Sequence, residues 1–279
     1  MSSLNLAESL DHFVVPVDDM IIAEVFYAGV FAGVITKRNG LNVRQRRRGA
    51  VPHTFIQIGG KRMGVYLQSE ERPRPSGPRG VPTYSFTTTP AGLDDVMTAL
   101  GKYNSGFDGP IQHAHGFADR TIFFTDPAGN HYAVYTPRNN APGSAAAERR
   151  ITGVGYIELE APDVGASIDF YVKVLGFEAQ DRSKNDSQAT LRMASGQTLI
   201  LTRAPFSSKG LVMSRKVPGP HIAFYVPAAK WQAALAHLDT LGIANGERGA
   251  AKERHDGQGG TYLDDPAGYV IEFITDGME

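Results

Sequence analysis

Apolar positions along the chain gather into short runs bounded by Gly, Pro, Asp and Asn, the pattern of strands separated by turns. The runs His12-Phe13-Val14-Val15-Pro16-Val17 and Tyr156-Ile157-Glu158-Leu159-Glu160 read as strands. So do Thr121–Thr125, His131–Tyr135, Thr261–Asp264 and Val270–Ile274. Helices are predicted after Asp19 and Asp163, each a candidate N-cap, and over Leu93–Leu100 and Trp231–Leu241.

The pattern repeats. Asp126-Pro127-Ala128-Gly129 returns 139 residues later as Asp265-Pro266-Ala267-Gly268. Each copy lies between two strand-like runs, so it reads as a hairpin turn in which Pro presets φ and Gly accepts φ > 0. Phe26-Tyr27 returns 144 residues later as Phe170-Tyr171, and each pair starts seven residues after its Asp. Tyr84-Ser85-Phe86 matches Ile222-Ala223-Phe224 at an offset of 138. Three landmarks in one order indicate a duplication. Each half again reads strand, helix, strands. The expected fold class is therefore α+β, with four βαβββ units near residues 8–72, 80–138, 151–206 and 217–276. The expected domains are 1–138 and 151–279, joined by a linker over 139–150 that contains Ala141-Pro142-Gly143-Ser144-Ala145.

Composition narrows the function. The 279 residues are 42% hydrophobic and 20% charged, enough apolar material for two cores. Lys+Arg is 28 against Asp+Glu 29, a net charge of −1, so no field of one sign draws nucleic acid or an anionic membrane. The absence of cysteine excludes disulfides, thiolate metal sites and a Cys nucleophile. No apolar run approaches a membrane span, and the first residues do not read as a signal peptide. A cytoplasmic protein is expected. The run Arg44-Gln45-Arg46-Arg47-Arg48-Gly49 is the densest positive charge and is expected to be a solvated turn.

Paired βαβββ units ending in a D-P-x-G-x-x-x-E strand resemble the vicinal oxygen chelate superfamily. Its members include glyoxalase I, fosfomycin-resistance proteins, bleomycin-binding proteins and extradiol dioxygenases. The resemblance implies two cupped-sheet domains, with a divalent metal held by first-strand residues and by the carboxylate after the turn. His221, in Gly219-Pro220-His221-Ile222, matches a first-strand ligand, and Glu272, seven residues after Asp265, matches the carboxylate. His12 holds the first-strand position of the first unit.

Their repeat counterparts have lost ligand chemistry. Tyr156 stands for His12, Thr83 for His221 and Ala133 for Glu272. If unit one pairs with unit four, His12, His221 and Glu272 form one site, and Thr83, Ala133 and Tyr156 form a metal-free one. Pairing within halves would leave only His221, Glu272 and Tyr156 together. Two imidazoles and a carboxylate on one face suit Fe(II) and leave positions for substrate and O2.

The resemblance then implies ring cleavage of a catechol- or hydroquinone-type aromatic, with Fe(II) as cofactor and O2 as co-substrate. The alternatives are a Mn(II)-dependent glyoxalase- or fosfomycin-type lyase or transferase, and a metal-free aromatic-binding protein of the bleomycin-resistance kind. Tyr262, ten residues before Glu272, resembles the tyrosine that contacts metal-bound oxygens in extradiol enzymes. His255, in a Gly-rich loop, has the chemistry to exchange protons near neutral pH. Nucleic acid and membrane are not expected as partners, and a homodimer is compatible with the sequence.

Overall fold

A computed structural model describes residues 6–47, 51–68, 75–138, 150–204, 220–246 and 260–275. Apart from Arg150, the expected linker over 139–150 lies outside these residues. The chain divides into two compact units, Val14–Ile157 and Met1–Phe13 with Glu158–Glu279. These are not the two sequence repeats: the division falls within β1 (Ser9–Val17) and β9 (Gly153–Glu160).

The unit Val14–Ile157 contains α1 (Met20–Phe31), β2 (Val34–Asn39), α2 (Val43–Arg47), β3 (His53–Ile58) and β4 (Lys61–Leu67). It continues through β5 (Thr83–Thr87), α3 (Pro90–Lys102), β6 (Phe107–Gln112), β7 (Ala118–Thr125) and β8 (His131–Pro137). The end of β1 pairs parallel with β4, Val14 opposite Gly64, and β4, β3 and β2 follow antiparallel. In the second sheet β5 pairs parallel with β8, and β8, β7 and β6 follow antiparallel.

Helix α1 forms for local reasons. Asp19 accepts the Ile21 and Ile22 amides, two donors that a helix start leaves without partners. Ala23, Phe26, Tyr27, Val30 and Phe31 are its buried face, at the spacing of one helical stripe. Phe26, Tyr27 and Phe31 meet Phe124 and Tyr132 in an aromatic core. Helix α3 starts earlier than the apolar spacing predicts. Thr89 caps it and Pro90 opens it, a start signal that periodicity does not carry. The arginine run also departs from expectation. Arg44, Arg46 and Arg47 lie in the five-residue helix α2 rather than a turn. The side chain of Asn42 accepts the Gln45 amide and caps that helix.

The other unit carries α4 (Val164–Phe170), which runs into a π-helical turn over Tyr171–Leu175. It continues with β10 (Glu178–Arg182), β11 (Gln188–Arg192), β12 (Thr198–Thr202), β13 (His221–Tyr225), α5 (Ala228–Thr240), β14 (Gly260–Asp264) and β15 (Val270–Ile274). Strands β10, β11 and β12 form an antiparallel sheet. In the second sheet the order is β14-β15-β13-β1. Residues ahead of β1 are tied into this unit: the Ala7 amide donates to Leu175 O at 3.1 Å and the Glu8 amide to Tyr225 O at 2.8 Å. Tyr171, Phe177 and Phe224 form its aromatic core. Strand, helix and three strands recur in three of the four repeats. In the fourth, among the described residues, two strands follow the helix.

The repeated Asp-Pro-Ala-Gly segments are turns in both units. Gly129 at φ 85° and Gly268 at φ 102° supply the left-handed conformation. The Gly129 amide donates to Asp126 O and the Gly268 amide to Asp265 O, each at 3.0 Å.

Candidate metal centre

Strand register brings the sequence-predicted residues onto one face. Parallel pairing of β13 and β15 sets Ala223 opposite Glu272, and antiparallel pairing of β14 and β15 sets Tyr262 opposite the same residue. Side chains of directly opposed residues project from the same face of a sheet. His221, two residues before Ala223, returns to that face. β1 follows β13 in the sheet and supplies His12.

The three side chains converge. Nε2 of His221 lies 3.2 Å from Oε2 of Glu272, and Nε2 of His12 lies 3.5 Å from the same oxygen. The two Nε2 atoms are 3.3 Å apart. The imidazoles meet edge to face, with centroids 5.4 Å apart. All three residues are buried, His12 and Glu272 at 2% exposure and His221 at 8%. They are the one grouping of three metal-capable side chains among the described residues.

These separations can be tested against a cation. Ligand atoms held at about 2.1 Å from one ion stand about 3.0 Å apart at right angles and about 3.4 Å apart at tetrahedral angles. The observed 3.2, 3.3 and 3.5 Å lie at that scale. Without a cation or a proton between them, two imidazole lone pairs and a carboxylate would face one another in a buried space, which is costly. The donor set therefore fits a divalent ion.

Burial is the main influence on His12 and holds its pKa below the usual histidine value, against the upward pull of Asp11 and Glu272. A neutral imidazole is the form that can ligate. Oδ1 of Asp11 lies 2.7 Å from Nδ1 of His12. Sequence reasoning missed Asp11; the available signal was an acidic residue immediately before a candidate ligand.

Tyr262 is buried, and its ring stands 5.5 Å from that of His221, nearly perpendicular to it. His255 lies outside the described residues. Two other histidines are held by hydrogen bonds away from this cluster. His53 accepts from Asn39 Nδ2 through Nε2 at 2.8 Å and donates through Nδ1 to Val51 O at 2.9 Å. The ring nitrogen of His237 meets Lys173 O at 2.7 Å.

Thr83, Ala133 and Tyr156 belong to the unit Val14–Ile157. Its strands reproduce the register of the metal face: Ser85 and Phe123 both oppose Ala133, as Ala223 and Tyr262 oppose Glu272. The side chains do not reproduce it. The Thr83 hydroxyl donates to Gly80 O. The Tyr156 ring packs on His115 at 4.7 Å, Phe117 at 5.4 Å and Tyr135 at 5.7 Å. One backbone scaffold thus carries the His12, His221 and Glu272 cluster in one copy and aromatic packing in the other.

Comparison with known proteins agrees with the fold. Residues 153–273 match the family model of the Glyoxalase/Bleomycin resistance protein/Dioxygenase superfamily. A curated catechol-2,3-dioxygenase of Bacillus subtilis (strain 168) is 34% identical over 127 residues, 45% of this chain. The match spans 42% of that relative's length. A solved structure from Bacillus subtilis, provisionally named a dioxygenase, has a TM-score of 0.72 at 15% identity, covering 98% of this chain and 86% of that one. Glyoxalase I from Zea mays has a TM-score of 0.64 at 15% identity, covering 96% and 92%. These two likenesses establish the α+β fold with two cupped sheets. Among the described residues, no helix is long and apolar enough to cross a membrane.

Proposed function

We propose that this chain, whose residues 153–273 match the family model of the Glyoxalase/Bleomycin resistance protein/Dioxygenase superfamily, is an Fe(II)-dependent extradiol dioxygenase. Its substrates are a catechol- or hydroquinone-type aromatic and O2. The observation that carries the reading is the convergence of His12, His221 and Glu272 within 3.5 Å of one another. The name of the Bacillus subtilis relative supports the choice of substrate class.

Bound iron would supply the redox chemistry that joins an aromatic diol to O2. The protein's part is geometric and electrostatic. His12 and His221 contribute two neutral nitrogens and Glu272 one negative oxygen. This set would cancel only half of a divalent charge, which would favour binding of an anionic diol. Three protein ligands would leave further positions on the ion for substrate and O2. Burial of all three keeps water from competing and strengthens each electrostatic contact. Tyr262, beside His221, holds or releases a proton at a substrate oxygen. His255 is assigned the acid–base role on the reacting ring. The three metal ligands come from one chain, so a partner subunit is not required to complete the ligand set.

The test is anaerobic loading with Fe(II), followed by oxygen uptake with a panel of catechols and hydroquinones. The expected result is one O2 consumed per ring-opened product. Iron-loaded protein that consumes no O2 with any of them overturns the reading. Manganese-dependent thiol addition or isomerisation would mark lyase or transferase chemistry instead, and tight aromatic binding without metal would mark a binding protein.

A further inference from the structure

We propose that Asp11 is a positioning residue that fixes the ring of His12 for metal binding; the inference rests on the metal centre described above. His12 can offer Nε2 to a cation only if its proton resides on Nδ1. Nε2 is the nitrogen that faces His221 and Glu272, at 3.3 and 3.5 Å. Nδ1 faces away from them, and Oδ1 of Asp11 lies 2.7 Å from it. A carboxylate is acceptor-only when ionised, so Asp11 selects the Nδ1–H tautomer and leaves Nε2 with its lone pair.

The geometry suits that task. Successive strand residues direct their side chains to opposite faces, so neighbours seldom meet. Nδ1 is the ring nitrogen nearer the backbone, which brings it within reach of the preceding residue. His12 is fully buried while Asp11 remains 24% exposed. The carboxylate therefore keeps part of its solvation and still fixes a ring in the interior. Its negative charge also raises the donor strength of the imidazole, the effect expected of a carboxylate behind a ligating histidine.

The experiment measures Co(II) and Zn(II) affinity of the full chain and of Asp11→Ala and Asp11→Asn, together with melting of the metal-free proteins. Proton NMR of the zinc-loaded chains follows the Nδ1–H of His12. Asp11→Ala is expected to weaken metal binding about 10-fold or more. Asn keeps an acceptor oxygen without the charge, so its affinity should fall between the two. The Nδ1–H resonance should be shifted downfield and protected from exchange in the natural protein and should lose both properties in Asp11→Ala. Metal-free melting should change little. Natural protein that binds metal, with Asp11→Ala within twofold of it, overturns the assignment of Asp11 alone. Natural protein that takes up neither metal overturns the metal centre itself. Asp11→Asn is close to isosteric and keeps the test decisive if the alanine variant folds poorly.

Discussion

The Tyr171 hydroxyl donates to Oδ2 of Asp265 at 2.9 Å, across 94 residues of sequence. In the other compact unit Tyr27 donates to Oδ2 of Asp126 at 2.5 Å, across 99 residues. Two of the repeated landmarks are therefore the two ends of one contact, a helix tyrosine tied to the first residue of an Asp-Pro-Ala-Gly turn. All four groups are buried. Removing the hydroxyl leaves a buried carboxylate oxygen short of a donor, at a cost of about 1–3 kcal/mol. Tyr171→Phe and Tyr27→Phe should each lower unfolding free energy by about that amount in urea titrations. Tyr27 also meets the Tyr132 hydroxyl at 2.7 Å, while Oδ2 of Asp126 keeps a second donor in Asn130 Nδ2 at 2.7 Å, so the two losses should be of similar size. A change below about 0.3 kcal/mol in both would deny the contact its structural role.

Asp265 gives stability a specific pH dependence. Burial is the largest influence and raises its pKa to about 6, against the opposing donors from Tyr269, Tyr171, Gly268 and Ala267. In the folded chain the carboxyl keeps its proton where the unfolded chain has released it. Its contribution is fully present below about pH 4 and is lost as pH rises through about 6, a change of a few kcal/mol. His12 works in the opposite direction, because burial lowers its pKa and folding is then favoured as pH rises through the usual histidine range. A difference measurement separates them. The stability of Asp265→Asn relative to the natural chain should rise between pH 4 and 6.5, and a flat difference would contradict the raised pKa.

Helix α1 ends on a residue unsuited to its conformation. Ala32 lies at φ 54°, where its repeat counterpart is Gly176 at φ 81°. The two ends share one bond: the Gly33 amide donates to Tyr27 O and the Phe177 amide to Tyr171 O, each at 3.1 Å. A left-handed C-terminal residue favours glycine because a Cβ crowds the backbone there. Ala32→Gly should therefore stabilise the protein by about 0.5–1 kcal/mol and raise its melting temperature. Destabilisation of that size would show that the helix end is set by something other than backbone strain.

What the sequence disclosed and what it withheld follow from range. The Asp-Pro-Ala-Gly turns were legible because Pro and Gly act on their own backbone. The caps at Asp19 and Asp163 were legible for the same reason, since each reaches amides within three residues. Phe26-Tyr27 could be seen to repeat, but its partner Asp126 lies 99 residues away from Tyr27, beyond any local periodicity. His221 and Glu272 were legible from the motif around each and His12 from its place in the first strand, while Thr83, Ala133 and Tyr156 marked the other copy by what it lacks. Asp11 was missed because strand alternation argues against contact between neighbours, so the acidic residue beside His12 carried little weight without the observed 2.7 Å contact. The short helix at Arg44–Arg47 was missed because its cause is a single cap at Asn42, not a hydrophobic pattern.

The duplicated scaffold leads to a prediction of stoichiometry. Both copies keep the same strand register, yet a grouping of metal-capable side chains occurs in one of them among the described residues. Protein purified without chelator, or reloaded after chelation, should hold about one divalent ion per chain rather than two. His12→Ala, His221→Ala and Glu272→Ala each remove a ligand from a three-ligand set and should reduce metal content several-fold. Glu272→Gln tests charge separately: it keeps an oxygen at the same place but surrenders the anion, so affinity should fall while folding persists. Tyr156→Phe and Thr83→Val alter the other copy and should leave metal content unchanged. Metal analysis by plasma mass spectrometry on the same preparations decides the matter. Two ions per chain would overturn the predicted stoichiometry, and metal lost in Tyr156→Phe but retained in His12→Ala would overturn the placement of the cation at His12, His221 and Glu272.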